Sequence, residues 1–151
     1  MKQVENLKNI LTEQIGSYRV LLDILHKERE HLLNLDALEV ENISKEKDTI
    51  VLRLRLLEEE RLRLMKELSA EKGIGYDMSL KRLSEVTGDD AFQFIRLQLV
   101  SLLQGIGEMN SFNRILIERS LTAVKNTLRF LEPFELSASQ TKKGNLLSRE
   151  A

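Results

Sequence analysis

Between Asp36 and Leu68, apolar residues recur at Val40, Ile43, Ile50, Leu54, Leu57, Leu64 and Leu68, spaced by threes, fours and sevens, with dense charges of both signs between them. That period marks one face of an α-helix. Asp36-Ala37-Leu38-Glu39 opens the run with the Asp-x-x-Glu pattern of a reciprocal cap, and no Gly or Pro follows before Gly73. The pattern predicts one helix from Asp36 to Leu68, extending to Ala70. At ~1.5 Å per residue it is roughly 50 Å long, and it cannot bury its own apolar stripe without neighbours. Lys47 and Arg61 fall on the stripe, where their stems are expected to lie on apolar surface with the charged heads in water. Val51, Leu52, Leu56, Leu62 and Met65 lie beside or outside it, a breadth that suits a helix with more than one partner.

The same period continues on both sides. Val4, Leu7, Leu11, Ile15, Tyr18, Leu22, Leu25 and Leu32 predict a buried face on a first helix from Lys2 to Leu33. Its spacing slips at Gln14 and Ile15; a strict heptad would keep Gln14 inside, so the pattern is that of a bundle. Gly16, in mid-helix, is expected to pack closely against a neighbour. The short Asn34-Leu35-Asp36 link makes the first two long helices antiparallel, and Leu35 and Val40 have the spacing of a hydrophobic staple. Gly73-Ile74-Gly75 ends the second helix. A short helix from Ser79 to Thr87 follows, capped by Asp77 or Ser79 and closed by Gly88. The last long helix begins at Asp89 or Asp90, whose charges suit a helix N-terminus. Phe92, Ile95, Leu99, Leu102, Ile106 and Met109 predict its first buried run, and Ile117, Leu121, Val124, Leu128 and Leu131 a second in a shifted frame. Asn113 falls inside the old frame, and Gly105 and Gly107 suggest a bend. This helix should lie parallel to the first, both packed on the second.

Pro133, the single proline, ends the last helix. Beyond it no period is sustained. Ordering the final stretch requires on the order of 18–36 kcal/mol of backbone entropy. Phe134, Leu136, Leu146 and Leu147 return about 1.5–3 kcal/mol each on full burial. The expected architecture is therefore all-α: an elongated bundle of three long helices with one short connecting helix over residues 1–132, and a flexible C-terminal tail over 133–151 that orders on binding a partner.

Composition narrows the function classes. Charged residues are 31% and hydrophobic ones 42%, with no Cys and no Trp, the profile of long helices. Net charge is -1, from 23 basic and 24 acidic side chains, so no basic excess points to nucleic acid. No apolar run reaches the roughly 18 residues of a membrane span, and Met1-Lys2-Gln3-Val4-Glu5-Asn6 lacks the core of a signal peptide, so a cytoplasmic protein is expected. His26 and His31 follow Asp23 and Glu28 by three residues, but a di-metal carboxylate bundle needs that motif on two helices, and both copies here lie on one. They are read as surface histidines. The Gly-Ile-Gly fragments at 73–75 and 105–107 follow no strand, and nucleophilic catalysis lacks both a Cys and a recognisable Ser elbow. The expectation is a binding protein with no enzymatic activity, cofactor or metal.

Three stretches carry a family resemblance. Leu21-Leu22-Asp23-Ile24-Leu25-His26-Lys27-Glu28-Arg29-Glu30-His31-Leu32-Leu33, followed by Asp36, Ile43-Ser44-Lys45-Glu46-Lys47 and Leu57-Glu58-Glu59-Glu60-Arg61, resembles the helical hairpin of the FlgN flagellar export chaperones. Met109-Asn110-Ser111-Phe112-Asn113-Arg114-Ile115-Leu116-Ile117-Glu118-Arg119-Ser120-Leu121 resembles the last long helix of that family, and Gly144-Asn145-Leu146-Leu147-Ser148-Arg149-Glu150-Ala151 some of its tails. The resemblance implies a cytosolic chaperone of flagellar type III secretion. Such a protein binds hook-associated (hook–filament junction) proteins, prevents their premature assembly and hands them to the export gate or its ATPase components. It places cargo binding at about Leu116 through Ala151. Many members carry a tail Tyr linked to gate docking; this sequence has no Tyr after Tyr76, and Phe134 is its one tail aromatic. Phe130, Phe134, Leu136, Leu146 and Leu147 are the expected partner-binding residues, with completion of the core as the alternative role for Phe130. The other reading of the whole chain is a structural coiled-coil or adaptor protein that self-associates through its long helices.

Overall fold

The computed structural model describes residues 2–73 and 79–132. They form four helices in the order expected: α1 (Lys2–Leu33), α2 (Ala37–Lys72), α3 (Leu80–Thr87) and α4 (Ala91–Leu131). The all-α bundle is thus observed, and no strand occurs among the described residues. Residues 133–151 lie outside the described residues, as do Ile74, Gly75 and Asp77. The chain divides into two compact units, Met1–Arg114 and Ile115–Ala151, with the boundary inside α4.

Helix ends follow local chemistry. The Asp36 side chain accepts a 3.3 Å hydrogen bond from the Glu39 backbone N–H. The reciprocal half of the cap is not made, because the Asp36 N–H donates to the His31 carbonyl instead. That bond, with Leu35 N–H donating to the Leu32 carbonyl, is a Schellman closure of α1. Its left-handed position, φ 55°, is held by Leu35. Leu35 is 79% exposed, so the expected staple with Val40 does not form. A left-handed L-residue costs roughly 1–2 kcal/mol, partly offset in a Gly variant by the looser unfolded chain. Leu35→Gly should therefore stabilise the protein by about 0.5–1 kcal/mol in denaturant titration. A loss of stability would mean that Leu35 makes an apolar contact. Gly73 and Gly88 take the same left-handed role after α2 and α3, and the Ser79 hydroxyl caps α3.

Within Met1–Arg114, cross-helix bonds fix the directions. Gln3 reaches Glu71 at 2.7 Å, Gln14 reaches Glu58 at 2.9 Å, and Lys47 reaches Glu28 at 3.2 Å. Residue numbers rise on α1 as they fall on α2, so the hairpin is antiparallel. Lys8 meets Asp89 at 2.6 Å just before α4, and further along both helices Asn113 meets Leu25 and Glu28. This makes α4 parallel to α1, as expected. Val4, Leu7, Leu11 and Ile15 of α1 share a core with Leu64, Met65 and Leu68 of α2, Leu83 of α3, and Phe92 and Ile95 of α4. A smaller core joins Leu21 and Leu25 to Leu54.

Some expected burials differ. Gln14 is buried beside Ile15, because the Glu58 carboxylate accepts its amide N–H. Leu21 and Ile24 are buried where Leu22 was expected; Leu22, Tyr18 and Leu32 are half-buried. A Cβ on Gly16 would meet nothing within 4 Å, so close packing is not its role. Of the first run on α4, only Phe92 and Ile95 are fully buried; in the second run Leu128 is half-buried and the other four are exposed.

One ion pair links α1 to the segment before α4, and another lies within α2. Lys8 beside Asp89 holds that carboxyl below its usual range, helped by the Ala91 N–H, and Arg61 does the same for Glu58. Carboxylates with lowered folded pKa values contribute stability above their unfolded values of about 4, and lose it as pH falls through the folded ones. The melting temperature should hold from pH 7 to about pH 5 and fall below about pH 4. Asp89→Asn should flatten that fall; an unchanged acid slope would remove the pair from the account.

Candidate functional site

Three places can be built from residues upward, and they differ in kind. The first is polar and interior. Glu28, expected as half of an Asp/Glu-x-x-His surface motif, is 4% exposed. Its carboxylate accepts from Lys47 Nζ at 3.2 and 3.4 Å and from Asn113 Nδ2 at 2.9 Å. Asn113, 1% exposed, also donates to the Leu25 carbonyl at 2.9 Å, while its own Oδ1 has no partner. Lys47 therefore does not merely lay its stem on the stripe: its head is paired across the hairpin. Arg61 is likewise paired, its Nε donating to Glu58 at 2.8 Å. A buried charge bonded from two other helices fixes their register. His26 is exposed and His31 half-buried. No group of three His, Asp or Glu that could hold a metal ion occurs among the described residues.

The second place is a cavity of about 300 Å³ in the first unit. Leu7, Leu11, Met65, Leu80, Leu99 and Leu103 line it, and Gln14, Glu58, Arg61 and Tyr18 form its polar wall. Burial, and then the charge of Glu58, push the Tyr18 hydroxyl up from its ordinary range. Every carboxylate and guanidinium on that wall is bonded to another wall residue. Such a wall offers shape and apolar contact, with no nucleophile and no free base.

The third place is the end of α4. Asn113 is its last buried residue. From there on Ile117, Leu121, Val124 and Leu131 are 37–43% exposed, and Leu128 is half-buried. Their spacing of four, three, four and three puts all five on one stripe of the helix. Glu118, Lys125 and Glu132 follow one flank of the stripe; Ser120 and Thr127 follow the other. The sequence marked this run as a buried one. Periodicity identifies an apolar face, but it does not say whether another element covers it. The stripe is an amphipathic face of the kind that receives a partner helix.

Phe130, among the expected partner-binding residues, is 72% exposed and so does not complete the core. It stands two residues past Leu128, about 200° round the helix, off the stripe. Phe134, Leu136, Leu146 and Leu147 lie outside the described residues. The five stripe positions fall within the Leu116–Ala151 stretch where the family resemblance places cargo binding, but their spacing predicts a buried run. The heptad spacing of the stripe is as regular as that of the Phe92–Met109 run before it, so spacing alone does not separate an exposed face from a covered one.

No helix among the described residues is long and apolar enough to cross a membrane. A protein-family model described as FlgN protein matches residues 1–143. Neither the curated proteins nor the solved structures searched contain a match to the chain.

Proposed function

This chain belongs to the FlgN family, and from that premise we propose that it is a flagellar export chaperone whose cargo, the hook-associated junction proteins, docks on the end of α4 and the tail that follows. The observation that carries the reading is the apolar stripe from Ile117 to Leu131, exposed on a helix whose earlier turns are packed. A cargo helix laid along it covers what would otherwise be the sticky face of the cargo itself. That is how such a protein keeps subunits from assembling before export. It delivers them afterwards to the export gate or its ATPase components.

Magnitudes assign the tail a share. The five stripe residues are already part-covered, so each returns on the order of 1 kcal/mol when a partner buries it. Association alone costs an estimated 4–15 kcal/mol. The stripe by itself therefore supports only weak capture, and Phe130, Phe134, Leu136, Leu146 and Leu147 add the apolar area that makes it firm. Purified hook-associated cargo should be retained by the full chain and released at least about tenfold more readily by a chain ending at Glu132. Equal retention by both would confine the site to the stripe, and no retention by either would remove the chaperone reading.

A further inference from the structure

The cavity of the first unit opens at the surface between α2 and α4: Leu103, one of its walls, is 47% exposed. Residues three or four apart on a helix are neighbours. On α2, Leu62 stands four residues after Glu58 and three before Met65, both lining residues, and it is 44% exposed. On α4, Val100 stands three residues before Leu103 and is 43% exposed. Apolar surface thus continues from the cavity onto both helices. A dry space of about 150 Å³ admits one ring the size of benzene. The cavity, at about 300 Å³, therefore admits roughly two large apolar side chains. Charge marks the mouth on both sides. Lys66 stands four residues after Leu62, and Arg96 three before Leu99. Both are exposed, and neither has an ion-pair partner among the described residues. Neither has an Asp or Glu three or four positions away on its own helix. The carboxylate on the cavity wall, Glu58, is already bonded to Gln14 and Arg61. We propose that this cleft binds a helix of another protein, one that presents two aliphatic side chains a turn apart with carboxylates beside them. The aliphatic pair enters between Met65 and Leu103, and the carboxylates meet Lys66 and Arg96. An aliphatic acid shares that chemistry, but it is too small to cover Leu62 and Val100 as well.

The cleft is built within Met1–Arg114 and the Ile117–Leu131 stripe lies beyond it, so the proposal does not rest on cargo capture. A chain holding cargo at the end of α4 still has this cleft to offer a second protein. The probe is an Ala-rich helical peptide of about 20 residues with a leucine stripe flanked by glutamates. A twin peptide carries lysines in place of the glutamates. By fluorescence anisotropy, the full chain should bind the acidic peptide about 10-fold more tightly than the basic one. Leu103→Asp should weaken that binding by about 10-fold or more. Leu121→Asp with Leu128→Asp, which spoils the stripe, should leave it unchanged. Lys66→Glu with Arg96→Glu should reverse the preference and favour the basic peptide, a gain that a misfolded chain could not show. No binding of either peptide, or equal binding of the two, would overturn the proposal. So would a loss in the stripe variant without one in Leu103→Asp, which would place the peptide on the stripe. Dodecanoate held through Leu103 where neither peptide is held would give the cleft to an aliphatic acid instead. None of these failures bears on cargo capture by the end of α4.

Discussion

Asn113→Asp should destabilise the protein by about 3–5 kcal/mol at pH 7, a large fraction of a typical folding free energy. Asn113 Nδ2 sits 2.9 Å from a Glu28 oxygen and 2.9 Å from the Leu25 carbonyl, almost fully enclosed. The variant replaces that donor with a second carboxylate, removes both hydrogen bonds and leaves Lys47 alone to balance two charges. Two carboxylates in one site cannot both stay ionised cheaply, so one of them takes a raised pKa in the folded state. A raised folded pKa favours the folded form as pH falls. The deficit should therefore shrink between pH 7 and pH 5, opposite to the acid response of the wild type. Asn113→Leu gives the comparison: it removes the orphaned Oδ1 as well as the donor, and Glu28 keeps Lys47, so about 1–2 kcal/mol is expected. Urea unfolding at the two pH values reads both. An aspartate variant no worse than the leucine one, with no gain on acidification, would mean that the Glu28–Lys47–Asn113 cluster does not hold α4 in register.

The second large effect concerns binding and should leave the fold alone. Leu121→Asp with Leu128→Asp puts two charges on the apolar stripe. Leu121 is 42% exposed and Leu128 half-buried, so stability should change by less than about 1 kcal/mol. Burying an unpaired carboxylate against an apolar partner costs several kcal/mol. Cargo affinity should then fall by about 100-fold or more while the melting curve stays near that of the wild type. The same pair set against Leu11 and Leu25, both buried in the core, would unfold the protein instead. That contrast is the difference between a face that is covered and one that waits.

What could be read from the sequence was local. Helix spans, the Ser79 cap and the glycines after α2 and α3 follow from residues a few positions apart. The antiparallel hairpin followed from a link too short for anything else. What could not be read depends on register between helices. Glu28 looked like a surface residue beside His31 until α2 brought Lys47 and α4 brought Asn113 to it. Gln14 looked like a break in the heptad until Glu58 met it. Leu35 looked like a staple, but the Schellman closure turned it to solvent. The α4 stripe was legible as apolar, and only the fold reveals it as exposed. Phe130, offered by the sequence either to a partner or to the core, is exposed and so is not a core residue.

On the function proposed above, the end of α4 with its tail is the working surface, and the packed part of the bundle supports it. Calorimetric titration of a hook-associated protein's C-terminal helical region tests it most directly, into the wild type and into the Leu121→Asp, Leu128→Asp chain. Binding to the wild type should be measurable, and the variant should lose about 100-fold or more in affinity with unchanged helicity. Equal affinity for the two chains would contradict it.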